Sequence, residues 1–179
     1  MTHLTFHVSR ITNHVPMSTT FVYPDNIDTD RIIPGKYTKT LDMSALAAHV
    51  LEDLDPNFAR TVQPGDILVA GWNFGCGSSR EQAPIALKAA GVSVVVAKSF
   101  ARIFYRNAIN IGLPLVELGE HNIQPGADVT VEMVNGLVRD DTGQTYHAAK
   151  MPDVMMAILE AGGLVEYLKI NKTYVKRDA

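Results

Sequence analysis

Ser78, Ser79 and Arg80 set two hydroxyls and a guanidinium side by side on the glycine-rich stretch Gly71-Trp72-Asn73-Phe74-Gly75-Cys76-Gly77-Ser78-Ser79-Arg80-Glu81, between an apolar run and a helical one. Side chains of these types at such a turn make an anion site. The start of a helix favours negative charge, and a fork-shaped cation grips it. Gly71, Gly75 and Gly77 let the backbone turn and let a ligand come close. Glu81 lies three residues after Ser78 and Gln82 three after Ser79, so either serine can close a capping box on a helix predicted over Ser79 to Ala90. Gly91 would stop that helix in the left-handed position. A capped helix accounts for the serines without any ligand. It does not account for Arg80, because a cation in the first turn opposes the helix dipole, a cost that a bound anion would offset.

Generic readings of the loop fail on spacing. No Lys-Ser/Thr pair follows the glycines, so it is not a P-loop, and Gly-x-Ser-x-Gly is absent. The dinucleotide fingerprint would need a glycine at Arg80 and an acid where the next strand runs into Lys98. A nucleophilic Cys76 would need a cationic neighbour to lower its pKa, and only Arg80 is near in sequence, so Cys76 reads as a small loop residue.

The elements around the loop follow from hydropathy and turn residues. Thr20 to Tyr23 reads as a short strand, and Asp42 as the cap of a helix from Met43 to Leu54 with Leu46, Val50 and Leu54 on one face. Ile67 to Ala70, Val92 to Ala97 and Leu113 to Glu117 are apolar strands separated by helices, the second of them capped by Ser99, which indicates a buried parallel sheet. After Gln124-Pro125-Gly126 the pattern alternates. Val129 to Val134, Asn135-Gly136 and Leu137 to Arg139 then predict a hairpin with a two-residue turn. Helices at about 152–161 and 164–169, hinged at Gly162-Gly163, close the chain.

Composition narrows the function classes. At 179 residues the chain fits a single domain, 1–179 with its core at about 20–170. A formal net charge of −3 without a basic run leaves no footprint for nucleic acid, and apolar stretches shorter than a bilayer span exclude a membrane helix. Residues 1–20, dotted with His3, His7 and His14, carry no apolar signal core and read as a solvated or strand-forming leader. One cysteine, Cys76, allows no internal disulfide and cannot hold an iron–sulfur cluster; a reducing, cytoplasmic location is expected.

Three ordered blocks carry a resemblance: Asn73 to Ala83, Asp25-Asn26-Ile27-Asp28-Thr29-Asp30-Arg31-Ile32-Ile33-Pro34, and Lys98 to Phe104 continuing through Asn107 to Gly112-Leu113-Pro114. In these the chain resembles the small subunit of the isopropylmalate isomerase and homoaconitase family, similar in turn to the swivelling domain of aconitase, whose signature reads Asn-Phe-Gly-x-Gly-Ser-Ser-Arg-Glu-His-Ala. This sequence departs from it at Gln82, where the family usually has His.

The resemblance implies an α/β fold, a three-layer β/β/α aconitase-type swivelling domain with a largely parallel buried sheet. It implies a reversible dehydration and rehydration of a di- or tricarboxylic acid. A [4Fe–4S] cluster that binds the departing hydroxide is expected in a larger partner subunit, with no metal or cofactor in this chain. By the same resemblance Ser78 is the catalytic base, Arg80 the clamp on a substrate carboxylate, and Asp30 a proton carrier or a support for a partner-subunit histidine. Ser79 and Thr29 would line the substrate. Lys39, in Tyr37-Thr38-Lys39-Thr40, would face its variable substituent, which distinguishes isopropylmalate from homoaconitate or another alkylmalate. A reading of a different class is a non-catalytic module that senses a carboxylate metabolite.

Overall fold

The computed structural model describes residues 19–40 and 42–172, so the histidine-dotted leader through residue 18 lies outside the described residues. Four strands form a parallel sheet in the order β1 (Thr20–Tyr23), β2 (Ile67–Ala70), β3 (Val94–Ala97), β4 (Leu115–Glu117). Tyr23 sits opposite Ala70, Ala70 opposite Ala97 and Ala97 opposite Glu117, so all four strands finish at one edge.

Alternate side chains of these strands enter two different cores, as the two-residue period of a strand requires. Leu68, Ala70, Val95, Ala97 and Leu115 face a helical layer, where Ile32 of α1 (Thr29–Ile32), Leu46 of α2 (Met43–Ala48) and Phe58 of α3 (Phe58–Thr61) meet Leu87 of α4 (Gln82–Ala90) and Phe104 of α5 (Arg102–Asn110). Ile67, Val69, Val94, Val96 and Val116 face a second, antiparallel sheet of β5 (Val129–Glu132), β6 (Leu137–Asp140) and β7 (Thr145–His147), through Val129, Val131, Val138 and Tyr146. The layers stack β/β/α, as the resemblance implies. α6 (Asp153–Glu160) and α7 (Leu164–Asn171) add a smaller cluster around Ile109, Ile158 and Tyr167.

β1 and β2 have the limits that sequence predicts; several other boundaries move, each for a local reason. α4 begins at Gln82, not Ser79, and neither serine caps it. Pro84 explains the shift: it lacks an N–H and its ring clashes with the carbonyl four residues back, so it is tolerated only in a first turn. β3 and β4 begin two residues later than hydropathy suggests because Val92 and Leu113 close the preceding helices. Each follows a left-handed glycine, Gly91 at φ 111° or Gly112 at φ 74°, and donates its N–H to a carbonyl five residues back, Leu87 or Ala108.

The helix capped by Asp42 stops at Ala48, six residues short of Leu54, because the chain turns to bury Val50 and Leu51 together. The Leu51 N–H donates to the Ile32 carbonyl at 2.9 Å. Ser99 does not cap α5, which starts at Arg102 after Ala101. The hairpin joins Glu132 to Leu137 through four residues, with only Gly136 at positive φ, and continues into β7, a strand the alternation did not signal.

Leu51 is fully buried and holds φ at 57°. A left-handed backbone costs an ordinary residue about 1–2 kcal/mol, and truncating a buried leucine costs about 2–5 kcal/mol. Burial wins, so Leu51→Gly should destabilise the chain by about 2 kcal/mol in urea unfolding despite relaxing its backbone; a stabilised variant would show that strain dominates there.

Candidate functional site

Past the ends of β1 and β2 the two chains keep hydrogen-bonding, now as loops. Asn26 N–H donates to the Trp72 carbonyl at 2.8 Å, Gly75 N–H to Ile27 at 2.7 Å, and Thr29 N–H to Cys76 at 2.8 Å. Asp25 accepts from the Trp72 N–H at 2.8 Å, and the Asn73 amide donates to Asn26 Oδ1 at 3.0 Å. Asn26 and Asn73 both sit near φ 58°, at 57° and 59°, a region asparagine tolerates. On the other side the Ser99 hydroxyl accepts from the Asn73 N–H at 2.9 Å, so this serine holds the loop after β2. Gly75 is required by space as well as by its φ of 77°: a Cβ there would lie 2.2 Å from the Phe104 ring.

The loop so held carries the candidate groups. Thr29 is buried, and its hydroxyl donates to the Ser78 carbonyl at 2.9 Å, which commits it to placing the serine. Ser78 and Ser79 are exposed. Arg80 lies two residues ahead of α4, outside its first turn. Its charge is met within the chain: Nη2 lies 2.6 Å from Asp30 Oδ1 and Nη1 donates to the Ile33 carbonyl at 3.1 Å. The guanidinium passes over Gly35, whose missing side chain leaves Nη2 at 3.5 Å from the Cβ position. Of the five N–H groups of an arginine, these two contacts leave three for a ligand. The Arg80 side chain is 19% exposed and that of Asp30 60%, so the fork is fixed inside while the acid reaches solvent.

Gln82, at the departure from the signature, donates from Nε2 to the Thr38 carbonyl at 3.0 Å and ties α4 to the strap after Pro34. Tyr37 of that strap stacks on His49 at 3.8 Å, and Lys36 pairs with Glu52 at 2.8 Å. That pairing, led by the Lys36–Glu52 hydrogen bond, pushes the Lys36 ammonium up and the Glu52 carboxyl down from their usual ranges. Lys39 is exposed on the strap and makes no ion pair with the described residues.

Asp30, Arg80, Ser78 and Thr29 therefore come together at the edge where the parallel strands end, the usual place for ligands in open α/β sheets. Burial, and then the Asp28 carboxylate, push the Cys76 thiol up, opposite to what a thiolate nucleophile needs. Among the described residues no group of three His, Cys, Asp or Glu is gathered to hold a metal, and no helix is long and apolar enough to cross a membrane. With Cys76 as its single cysteine, the chain does not fit an iron–sulfur cluster.

Residues 55–120 match the family model for the aconitase C-terminal domain. Over 160 residues the chain is 60% identical to the 3-isopropylmalate dehydratase small subunit of Caldicellulosiruptor bescii, covering 88% of this chain and 95% of that one. The chain belongs to the 3-isopropylmalate dehydratase small-subunit family. Its relatives include the methanogen homoaconitase small subunit of Methanothermobacter thermautotrophicus, 52% identical over 87% of this chain and 92% of that one. A crystal structure of 3-isopropylmalate dehydratase from Methanocaldococcus jannaschii is similar, with a TM-score of 0.83 at 45% identity over 87% of this chain and 93% of that chain.

Sequence reasoning about this family member missed the Asp30–Arg80 pair, the Ile33 carbonyl and the Gln82–Thr38 link, all contacts between segments more than forty residues apart. No local residue signalled them, since a Cβ at Gly35 would meet Arg80 Nη2 at an ordinary 3.5 Å.

Thr29→Val keeps the volume of a buried side chain and removes its donor to Ser78. The expected cost is about 0.5–1.5 kcal/mol in urea unfolding, together with faster amide exchange at residues 76–79. Unchanged exchange would mean that the hydroxyl does not hold the serine loop.

Proposed function

We propose that this chain is the small subunit of a two-subunit hydro-lyase that moves a hydroxyl between adjacent carbons of a malate derivative, with 3-isopropylmalate as substrate. The observation that carries the reading is the Arg80 guanidinium, pinned by Asp30 and Ile33 two residues from the exposed Ser78. A substrate carboxylate would take the remaining fork of Arg80, with Ser79 beside it. The carbon next to that carboxylate would then be presented to Ser78 as base.

Removing a proton there builds negative charge that only fixed donors can stabilise, and Arg80 is such a donor. Its rigidity matters, since a guanidinium that need not reorganise supplies more transition-state stabilisation. Asp30 acts in this reading by aiming Arg80. Among the described residues no side chain hydrogen-bonds the Ser78 hydroxyl; in this reading the larger subunit would supply the group that takes its proton. The same subunit is the expected holder of the [4Fe–4S] cluster, which would take the departing hydroxide as a Lewis acid.

Lys39 supports a second reading, a homoaconitase, because an exposed cation on the strap can pair with a distal carboxylate that an isopropyl group lacks. A lysine also snorkels, laying its methylenes against an alkyl group, and the similarity to the Caldicellulosiruptor protein favours isopropylmalate.

The test is reconstitution with the large subunit. Ser78→Ala should abolish turnover and leave substrate binding nearly intact, because a base acts on the chemical step, whereas Arg80→Lys should impair binding and rate together. Full activity of the Ser78→Ala complex would refute the base. If Lys39 reads a carboxylate, Lys39→Leu should cost a tricarboxylic substrate about 1–3 kcal/mol relative to isopropylmalate; an unchanged ratio of kcat/KM values would mean that this loop does not choose the substrate.

A further inference from the structure

α5 and α6 leave between them a cleft of about 390 Å3, within the range of small-molecule sites. None of Thr29, Asp30, Lys39, Ser78, Ser79 or Arg80 lines it. Its apolar wall is made by Ile109 of α5 with Met155 and Ile158 of α6, and its charged groups are Arg102, Arg106 and Glu117. Arg102 and Arg106 stand four residues apart on one helix and so project from the same face, one turn from each other. Glu117 is the last residue of β4, at the sheet edge where α5 begins. Tyr105 also lines the cleft, and burial, then the Glu117 charge, push its phenol up.

Opposite charges thus share one cleft, yet no ion pair of 4.0 Å or less joins Glu117 to either arginine. A ligand that carries only a carboxylate would match the arginines and be repelled by Glu117. A simple amine would have the reverse problem. A zwitterion satisfies both ends, and the isoleucine–methionine wall needs an apolar body between them.

We propose that this cleft binds an α-amino acid with an apolar side chain, its carboxylate held by Arg102 and Arg106, its ammonium by Glu117, and its side chain against Ile109, Met155 and Ile158. The site lies outside the proposed hydro-lyase centre and does not depend on it.

Titration calorimetry on the full chain tests this with leucine, methionine and phenylalanine, alongside 4-methylpentanoate, which lacks the ammonium, and 3-methylbutylamine, which lacks the carboxylate. The expected Kd for the amino acids is about 1 mM, in keeping with so small a ligand and solvent-facing charges. Each truncated analogue should bind about tenfold more weakly or not at all, the loss expected of one charge-assisted contact. Glu117→Gln should weaken leucine about tenfold and leave 4-methylpentanoate unchanged or tighter, whereas Arg106→Gln should weaken both acids. Both side chains are exposed, and an unchanged melting temperature would confirm that the variants fold. The proposal is overturned by absence of saturable heat with all three amino acids up to about 20 mM, by 4-methylpentanoate binding as well as leucine, or by full leucine binding in both variants.

Discussion

The hydrogen-bond ladder between residues 26–29 and 72–78 is the constraint on which the site depends. Parallel strands end at Tyr23 and Ala70, where a chain would ordinarily diverge into separate loops. Here the backbones stay paired for several residues more, through Asn26, Gly75 and Thr29. Side chains finish what the backbone leaves: Asp25 takes the Trp72 N–H, Thr29 takes the Ser78 carbonyl, and Ser99 closes the far side. A serine in a free loop would sample many positions. This one is carried on a loop hydrogen-bonded to the segment after β1, and preorganisation of that kind is what makes fixed donors effective.

Arg80 shows how the same framework handles charge. The sequence suggested a cation in a first helical turn, awaiting an anion. Pro84 moves the helix start to Gln82, and Asp30 supplies the anion from within the chain. The pair is intermediate between a surface bridge and a buried one, since the arginine is mostly covered and the acid mostly exposed. Because the arginine also bonds the Ile33 carbonyl, its plane is set by two partners on one short segment, residues 30–33. That segment is α1 with the residue after it, and Thr29, in the same turn, holds Ser78. One helical turn thus places both the proposed base and the proposed clamp.

Several elements governed by local chemistry were legible in the sequence, although the caps read at Ser78, Ser79 and Ser99 and the two-residue hairpin turn were not found; contacts between distant segments were not legible. The strands at 20–23 and 67–70, the Asp42 cap and the left-handed Gly91 each rest on a few neighbouring residues, and each is found. The helix through Leu54 failed because the apolar spacing does not separate a helix from a turn that buries Val50 and Leu51, where the Leu51 N–H goes to the distant Ile32 carbonyl. Val92 and Leu113 read as strand because hydropathy cannot separate a buried strand residue from the apolar residue that closes a helix. The candidate groups at 30 and 78–80 were identified by motif, but the role of Thr29 as a strut and of Asp30 as a partner of Arg80 needed three dimensions.

An internally neutralised arginine has a consequence for how the site meets a carboxylate. An unpaired guanidinium behind a glycine would be costly to keep partly buried in the free chain, and Asp30 removes that cost. The fork can therefore be in place before any ligand arrives, so the ordering cost does not fall on binding. The incoming carboxylate must then share the arginine with Asp30, two like charges near one cation. That arrangement is unfavourable unless further positive charge approaches or one acid moves aside. Within the strap the candidate is Lys39, whose neighbour Thr38 is tied to the start of α4 by the Gln82 amide. In the proposed assembly the larger subunit would be the other source. A surface so arranged favours its anionic ligand most when a second, positively charged surface closes over it.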